Sequence, residues 1–317
     1  MTTIGDPALN SNEIRLSVII VSWNTREALA RCLRSIRDHE PGRDYEIIVV
    51  DNHSTDGTVE RIAEEFPWTK IISNPANVGF GAANNQAMEI ARGRDYLLLN
   101  SDTVLVEETF AKMMSVLDRL PWVGAVGCRL QREDAGQQIS AGPLPGFGTI
   151  FFSTFGLHRL FPECPMSPSR TVLRQTEHPL QSVGYVSGAC MLLRREAVLE
   201  VGAFDPSFFL YSEEVDLCRR LAGAGWGVVY SATPTVVHLE GRSLRGATKE
   251  RFVRLYSGTI RYLAKSGGAD RLLLTMPLVL LHLASRLAGS GLNAKARLAV
   301  LSDVFAEGSR FALDPEP

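Results

Sequence analysis

Large apolar residues arrive along this chain in short runs separated by helical stretches, and that rhythm predicts the architecture. Leu16–Ser22 (LSVIIVS) is rich in β-branched residues without polar alternation, as expected of a strand covered on both faces. A helix capped by Thr25 follows, with Leu29, Leu33 and Ile36 on one face. The pattern then repeats. Residues 46–50 (EIIVV) form a second buried strand ending in Asp51, and Ser54-Thr55-Asp56-Gly57 leads into a helix that runs to near Glu65. Lys70–Ser73 reads as a short third strand and residues 81–92 as a third helix. Tyr96-Leu97-Leu98-Leu99 reads as a fourth strand, leaving the sheet through Asn100-Ser101-Asp102. Residues 107–120 predict a helix and residues 123–130 a strand. Strands and helices alternating at this length predict an α/β fold: a mainly parallel central sheet with right-handed crossovers and flanking helices.

From residue 131 to 180 the rhythm loosens. Gly142, Pro143, Pro145, Gly146, Pro162, Pro165, Pro168 and Pro179 punctuate a long connection that carries Phe147, Phe151, Phe152 and Phe155. Two readings are open, an acceptor-binding lid and an irregular excursion around a small apolar plug. Residues 183–187 and 190–193 read as strands flanking Gly188, and Arg194 begins a short helix. Ser212 stands as N-cap before Glu213-Glu214-Val215-Asp216, and the strand-like residues 235–237 end at His238. Residues 272–284 (LLLTMPLVLLHLA) are nearly all apolar but number thirteen and contain Pro277, short of the roughly 20 residues of a bilayer span. Arg251, Arg254, Arg261, Lys265 and Arg271 precede them. The segment therefore predicts either peripheral contact with an anionic membrane surface or a helix packed on the protein, including in a homo-oligomer interface.

Composition narrows this picture. With 317 residues, 45% hydrophobic and 21% charged, the chain can bury a full core, as one large α/β domain with a smaller appendage. A net charge of -2 gives no global attraction to nucleic acid, and no DNA- or RNA-binding signature is visible. The charge is uneven, however: from Gly241 to Val300 eleven Lys or Arg face only Glu250 and Asp270, so this stretch wants an anionic neighbour. The five cysteines are odd in number and lack paired metal-ligand spacing, which predicts reduced thiols in a cytoplasmic setting. Asp6 and Glu13, with no apolar run around them, do not make a signal peptide.

Several positions carry chemistry beyond fold. In open α/β sheets ligands bind outside the carboxyl ends of the strands, where Asp102 lies. A carboxylate there suits a hard divalent cation holding a diphosphate, because Mg2+ takes one or two protein carboxylates plus phosphate oxygens. The other reading of Asn100-Ser101-Asp102 is a turn and helix cap. Asp51 at its strand end is placed to accept hydrogen bonds from a nucleoside, since Asp56 already supplies a cap for the next helix. Asn77-Val78-Gly79-Phe80-Gly81 joins a strand to a helix, where glycines permit close backbone approach and the helix start can meet phosphate. It is not a dinucleotide fingerprint: the third glycine is missing and the run does not follow the first strand, which disfavours a dehydrogenase. Glu213, Glu214 and Asp216 suit the dipole of a helix start, yet they point in different directions around the turn, so at least one can face a site. His238 is open between a structural and a ligating role.

Taken in order from Leu16 to Ser243, the segments SVIIVSWN, VVDNHSTDGT, NPANVGFGAANN, LLLNSD, GACMLLRREA, FFLYSEEVDLCRR and HLEGRS closely resemble family 2 glycosyltransferases of the GT-A fold, particularly the rhamnosyltransferase-like branch. The ordered set is specific where no single piece is. The resemblance implies a nucleotide-diphospho-sugar transferase fold with a C-terminal helical segment. It implies inverting transfer from a dTDP- or UDP-linked sugar to a hydroxyl of a glycan or polyprenyl-diphosphate-linked glycan in cell-envelope polysaccharide synthesis. L-Rhamnose from dTDP-rhamnose is the sugar it favours, with galactofuranose, glucose and N-acetylhexosamine open. Ser22, Trp23, Asn24, Asp51, Asn77 and Gly79 fall on donor-binding positions. Asn100, Ser101 and Asp102 fall on the Asp-x-Asp-like triplet; its first carboxylate has become Asn100, which leaves Asp102, with His238, to hold Mg2+ or Mn2+. Gly188, Ala189 and Cys190 fall on acceptor-facing positions, and Glu214 falls on the general base, with Glu213 open because the usual Glu-Asp pair is Glu-Glu here. Asp216 is expected to orient its helix or Arg219.

The implied division is a flexible lead (1–15), a catalytic domain (16–243) and a basic, apolar helical segment (244–317). Within the domain, residues 16–130 form the nucleotide-binding half and 131–243 the acceptor half with the long loop 131–180. The expected location is the cytoplasm, or the inner face of the cell membrane by peripheral contact. Two rival readings are weaker. A nucleotidyltransferase would carry a basic, glycine-rich phosphate loop near its start, and residues 22–30 provide none. A non-catalytic sugar-nucleotide-binding scaffold would keep Asp51 and Asp102 but lose the base, against which Glu213-Glu214 stands.

Overall fold

A computed structural model describes residues 14–40, 42, 44–167, 170–171, 178–239 and 249–313. Most of the expected N-terminal lead lies outside the described residues, as do Glu240, Gly241, Arg242 and Ser243 of the last motif and parts of the long connection. The first half follows the hydrophobic rhythm closely. Strands β1 (Leu16–Ser22), β2 (Tyr45–Asp51), β3 (Lys70–Ser73) and β4 (Asp95–Leu99) alternate with helices α1 (Arg26–His39), α2 (Thr58–Glu65) and α3 (Phe80–Ile90). A short strand β5 (Thr103–Leu105) then precedes α4 (Thr109–Arg119), so this helix starts two residues later than the sequence pattern placed it. Strands β6 (Val123–Gln131), β7 (Gln137–Gln138) and β8 (Ala141–Gly142) lead to α5 (Phe147–Thr154). Beyond come β9 (Leu180–Ser182), β10 (Tyr185–Val186), β11 (Cys190–Arg194), α6 (Arg195–Val201), α7 (Glu213–Gly223) and β12 (Gly227–His238). The chain closes with α8 (Lys249–Ala288), which breaks at Gly268, and α9 (Ala294–Leu313).

The main sheet runs in the order β3-β2-β1-β4-β11-β6-β12-β5. Its first four strands are parallel, β11 runs antiparallel between β4 and β6, β12 is parallel to β6, and β5 is antiparallel to β12. The parallel half is the one the α/β alternation encodes. The other half is threaded by strands distant in sequence, where pairing is not a local property.

Both faces of the sheet are covered, which explains the unbroken apolar runs. Val18, Ile20, Leu97 and Leu99 pack under α1 and α4 residues such as Leu29, Leu33, Phe110 and Met113. Ile19, Ile48, Leu98, Met191 and Leu193 pack under Ala83, Ala87, Ala197, Leu217 and Leu221 of α3, α6 and α7. Each such large aliphatic side chain contributes about 1.5–3 kcal/mol by leaving water. A third core joins the C-terminal helices to the body: Tyr256, Ile260, Leu263, Leu272, Val279, Leu283, Val300 and Val304 gather around Phe208 and Val215.

Two expected caps work differently. The Thr25 side chain makes no hydrogen bond to the start of α1, because its hydroxyl is used between strands instead. Helix α4 is capped from a distance, by Glu40 Oε1, which accepts the Thr109 and Phe110 N–H groups at 2.6 and 2.8 Å. The thirteen-residue apolar run belongs to a longer helical stretch, Asp270–Ala288, whose 19 residues are by length and composition enough to cross a membrane. Here Leu272, Val279, Leu283 and Leu287 are buried, while Leu273, Leu274 and Leu281 are exposed. The aromatic patch of the long connection is α5 and its C-cap, with Phe147 and Phe151 stacked at a ring separation of 6.1 Å and Phe155 tilted against Phe151 at 4.7 Å. All five cysteines are free thiols.

Candidate active site

At the carboxyl edge of the parallel strands lies a cavity of about 340 Å3, and the sheet register brings its parts together. Ser22 pairs level with Asp51, and Asp51 with Ser73, so the first three strands end at one height. A buried chain of hydroxyls ties this edge to the next strand: Ser22 Oγ meets Thr25 Oγ1 at 2.9 Å, and Thr25 Oγ1 donates to Ser101 Oγ at 2.9 Å. Ser22 thus lies beneath the cavity, whereas Trp23, Asn77, Gly79, Asn100, Ser101 and Asp102 line it. Asn24, in a left-handed conformation, fastens two loops by accepting the Thr55 N–H at 2.8 Å on Oδ1. Asp51 accepts the Ser54 N–H on Oδ2 at 2.9 Å, but its Oδ1 is buried without a partner, an acceptor held ready at a strand end.

Gly79 is required by a close approach. Its φ is +89°, and a Cβ there would lie 2.5 Å from the carbonyl oxygen of Phe209. That carbonyl accepts the Phe80 N–H at 2.9 Å, so the glycine loop is docked against the strap of residues 208–212. Asn52 supports the same loop by donating to the Gly79 carbonyl at 3.1 Å, and it also lines the cavity.

Asp102 and His238 meet because β12 ends opposite the start of β5, with His238 in register with Thr103. The Leu239 N–H donates to the Asp102 carbonyl at 2.9 Å, and His238 Nε2 lies 3.2 Å from Asp102 Oδ1 and 3.4 Å from Asn100 Nδ2. On its far side the imidazole Nδ1 faces Gln138 Oε1 at 2.9 Å, and Gln138 Nε2 donates to the His238 carbonyl at 3.0 Å. Gln138 therefore holds the proton on Nδ1 and leaves the Nε2 lone pair aimed at the cavity, as an outer partner does for a ligating histidine.

The acidic turn sits behind the strap. Tyr211 and Ser212 both have left-handed φ, +73° and +72°, a strained pair of non-glycine residues immediately before α7. The Ser212 side chain makes no capping bond. Glu213 is buried and its Oε2 has no partner. Burial first, and then the charge of Glu214, hold its carboxyl well above the usual carboxylate range. Glu214 is half-buried. Burial raises it too, against the pull of nearby backbone N–H groups of the helix start. A Cβ on Gly188 would lie 3.3 Å from the Phe80 ring and 3.9 Å from the Glu214 Cβ, so Gly188 leaves room between the cavity wall and Glu214. Ala189 accepts the Asn100 N–H on its carbonyl at 2.9 Å, and Cys190 lies in the core with its Sγ 3.7 Å from Met113 Sδ. Asp216, fully buried, bonds Arg220 at 2.8 Å and Lys265 of α8 at 3.1 Å, closer than Arg219 at 3.6 Å. It clamps the C-terminal helix to the body.

Sequence reasoning missed Asn52, Gln138 and the strap Phe209-Leu210-Tyr211. It also missed Glu250, Arg251 and Arg254, which close the cavity from α8. Asn52 and the strap lie in the motifs VVDNHSTDGT and FFLYSEEVDLCRR without a role of their own there, and the arginines lie in the basic run, for which membrane contact and packing on the protein were both open.

A parallel nucleotide-side sheet extended by antiparallel β11, with Asp102 and His238 at its carboxyl edge, defines a GT-A glycosyltransferase fold. Solved structures agree. The mannosyltransferase PcManGT from Pyrobaculum calidifontis, in complex with GDP-Man and Mn2+, matches with a TM-score of 0.58 at 17% identity, over 97% of this chain and 89% of that one. GalNAc-T7, solved with UDP, GalNAc and Mn2+, matches with a TM-score of 0.60 at 16% identity, over 93% of this chain and 55% of that one. The family model Glycosyl transferase family 2 matches residues 17–202, and Glycosyl transferase family group 2 matches residues 163–312. The N-acetylglucosaminyl-diphospho-decaprenol L-rhamnosyltransferase of Mycobacterium tuberculosis is 31% identical over 242 residues, covering 72% of this chain and 77% of the relative. Rhamnosyltransferase WbbL of Escherichia coli K12 is 24% identical over 258 residues, covering 78% and 92%. The chain belongs to glycosyltransferase family 2. It is a glycosyltransferase of the hexosyl type, in a family whose characteristic reaction inverts the anomeric centre.

Proposed function

We propose that the protein transfers L-rhamnose from dTDP-rhamnose to a hydroxyl of a polyprenyl-diphosphate-linked glycan during cell-envelope polysaccharide synthesis, at the cytoplasmic face of the membrane. The observation that carries the reading is the convergence of the Asp102–His238 pair and the Asn77–Gly79 loop on one cavity, with Asp51 buried one residue before the lining Asn52 and Glu214 behind Phe80 and Gly188. The names of the Mycobacterium and Escherichia relatives favour rhamnose and a lipid-linked acceptor. An apolar recess between α5 and α8, lined by Ile150, Met166, Leu255, Tyr256 and Val279, reaches Tyr185, whose phenol is pushed up first by burial and then by the charge of Glu214. It would lead a lipid toward the base. Residues 16–130 serve the donor, residues 131–243 the acceptor, and the helices from 249 onward buttress both.

The donor set fits a divalent cation completed by substrate. Asp102 gives one carboxylate and His238 a lone pair 3.2 Å from it, and among the described residues no cluster of three or more acidic, His or Cys side chains forms a closed cage. Two protein donors plus phosphate oxygens are what Mg2+ or Mn2+ needs here. Bound there, the cation would neutralise charge on the departing diphosphate. The protein's own groups do the rest. Glu214, the more accessible of the acidic pair, takes the acceptor hydroxyl proton as that oxygen attacks the anomeric carbon. The bond from that carbon to the diphosphate oxygen breaks on the opposite face, its electron pair leaves with the nucleoside diphosphate, and the configuration inverts. Asp51 Oδ1 accepts a hydrogen bond from the nucleoside.

Calorimetric titration with UDP, dTDP, GDP and CDP, with and without Mg2+ or Mn2+, tests the reading on wild type and Asp102→Ala. Metal-dependent binding of dTDP that the substitution removes is expected. Folded wild-type protein that binds no nucleotide would overturn it.

A further inference from the structure

The basic run that precedes the apolar segment reads from sequence either as a membrane-facing feature or as part of a helix packed on the protein. In the structure its members divide. Lys265 is used internally, bonded to Asp205 and Asp216 at 2.6 and 3.1 Å. Arg251 and Arg254, one turn apart on α8, line the same cavity as Asn100, Asp102 and His238. We propose that these two arginines grip the diphosphate of the donor, so that the C-terminal helix is part of the donor site. The inference rests on the nucleotide-sugar reading of the cavity.

Both side chains are positioned before any ligand arrives. The Arg254 guanidinium lies 4.2 Å from the centroid of the Phe209 ring, and its Nε and Nη2 reach Glu250 Oε1 at 3.1 and 2.5 Å. Arg251 acts on the Tyr211 phenol by charge and hydrogen bond. Phe209 and Tyr211 belong to the strap, and Gly258 fixes α8 against that strap: a Cβ there would lie 2.4 Å from the Tyr211 carbonyl oxygen. The helix cannot drift from the cavity without dragging the turn that carries Glu213 and Glu214.

Charge balance decides why cations are needed. Lining the cavity, Asp102 and Glu250 cancel Arg251 and Arg254. A divalent cation on Asp102 raises the wall to two positive charges, matching the two negative charges of a nucleotide-sugar diphosphate. Without the arginines the wall with its cation is neutral and exerts no net attraction. Replacement of the triplet's first carboxylate by Asn100 works in the same direction. As the sugar leaves, the nucleoside diphosphate gains a further charge, and a planar guanidinium fork suits it better than an ammonium.

The test compares, by calorimetry, each nucleoside with its own mono- and diphosphate: uridine, UMP and UDP, and thymidine, dTMP and dTDP. Wild type, Arg251→Gln, Arg254→Gln, Arg254→Lys and the double Gln variant are titrated in Mg2+ and again in EDTA. The double variant should bind nucleoside like wild type, while the advantage of diphosphate over nucleoside that wild type shows in Mg2+ shrinks at least tenfold; Arg254→Lys should recover part of it, and in EDTA wild type itself should lose most of that advantage. An unchanged advantage would overturn the clamp. So would a parallel loss of nucleoside and diphosphate binding, which would make the arginines mere supports of the strap. If wild type itself binds no diphosphate, the donor reading falls and the clamp with it, a result distinct from variants that match a binding wild type.

Discussion

Replacing each member of the acidic pair by glutamine separates the base from its neighbour. Glu213 is sealed, 4% exposed, with an unpartnered Oε2, and burial and the adjacent Glu214 push its carboxyl well above the usual carboxylate range, which favours the neutral form. Glutamine copies a neutral carboxyl in shape, so Glu213→Gln should keep kcat/KM within about tenfold, although a buried amide N–H without an acceptor would cost about 1–3 kcal/mol of stability. Glu214→Gln removes the group that takes the acceptor proton, and a positioned base is worth about 10²–10⁴ in rate, or ~2.7–5.4 kcal/mol of barrier. Its pH dependence follows from the raised value. The base works ionised, so kcat/KM should fall as pH drops, along a limb that lies above the ordinary glutamate value of about 4.3. Initial rates of sugar transfer from the nucleotide sugar that wild type uses, measured across pH beside thermal melts, check both variants. An inactive, folded Glu213→Gln beside an active Glu214→Gln would refute the assignment.

Two further expectations concern the frame of the site. Gly79→Ala must move the strap, because its Cβ would meet the Phe209 carbonyl at 2.5 Å, whereas Gly156→Ala has a positive φ but nothing within 4 Å. Both should lose about 1–3 kcal/mol of stability to the backbone strain that a Cβ brings at positive φ, but only Gly79→Ala should also lose nucleotide binding; equal melts and equal binding would count against the docking argument. Glu40→Ala removes the acceptor for the Thr109 and Phe110 N–H groups and should lower stability by about 1–2 kcal/mol in a melt, with Glu40→Gln restoring most of it; a silent alanine variant would show that α4 needs no cap.

Legibility follows the range of the interactions. The strand ends at Asp51 and Asp102 were readable because a buried parallel strand writes its limits as an apolar run followed by polar residues. The ordered motifs placed the chain in its family, and they placed Glu213-Glu214 at a helix start, where the structure has them. Other readings misjudged what a side chain touches. Thr25, read as a helix cap, is a strut to Ser101; Asp216, expected to orient its helix or Arg219, does bond Arg220 of that helix and reach Arg219, but it also holds Lys265 of α8, a partner distant in sequence. Gln138 had no signal at all, since the imidazole it orients is a hundred residues away in sequence.

By itself, then, the sequence determined the parallel half of the sheet, the two strand-end carboxylates, the acidic helix start and the family, because period and local turn chemistry are properties of neighbouring residues. Only the tertiary structure decided that His238 faces Asp102, since β12 must first pair with β5 to bring them together. Only it decided that Gly79 and Gly258 are glycines because the strap 208–212 passes between them. And only it turned Arg251 and Arg254 from members of a basic run into the wall of a cavity, because the docking of α8, through Lys265 on Asp216 and an apolar seam around Phe208, fixes which side of a charged helix faces inward.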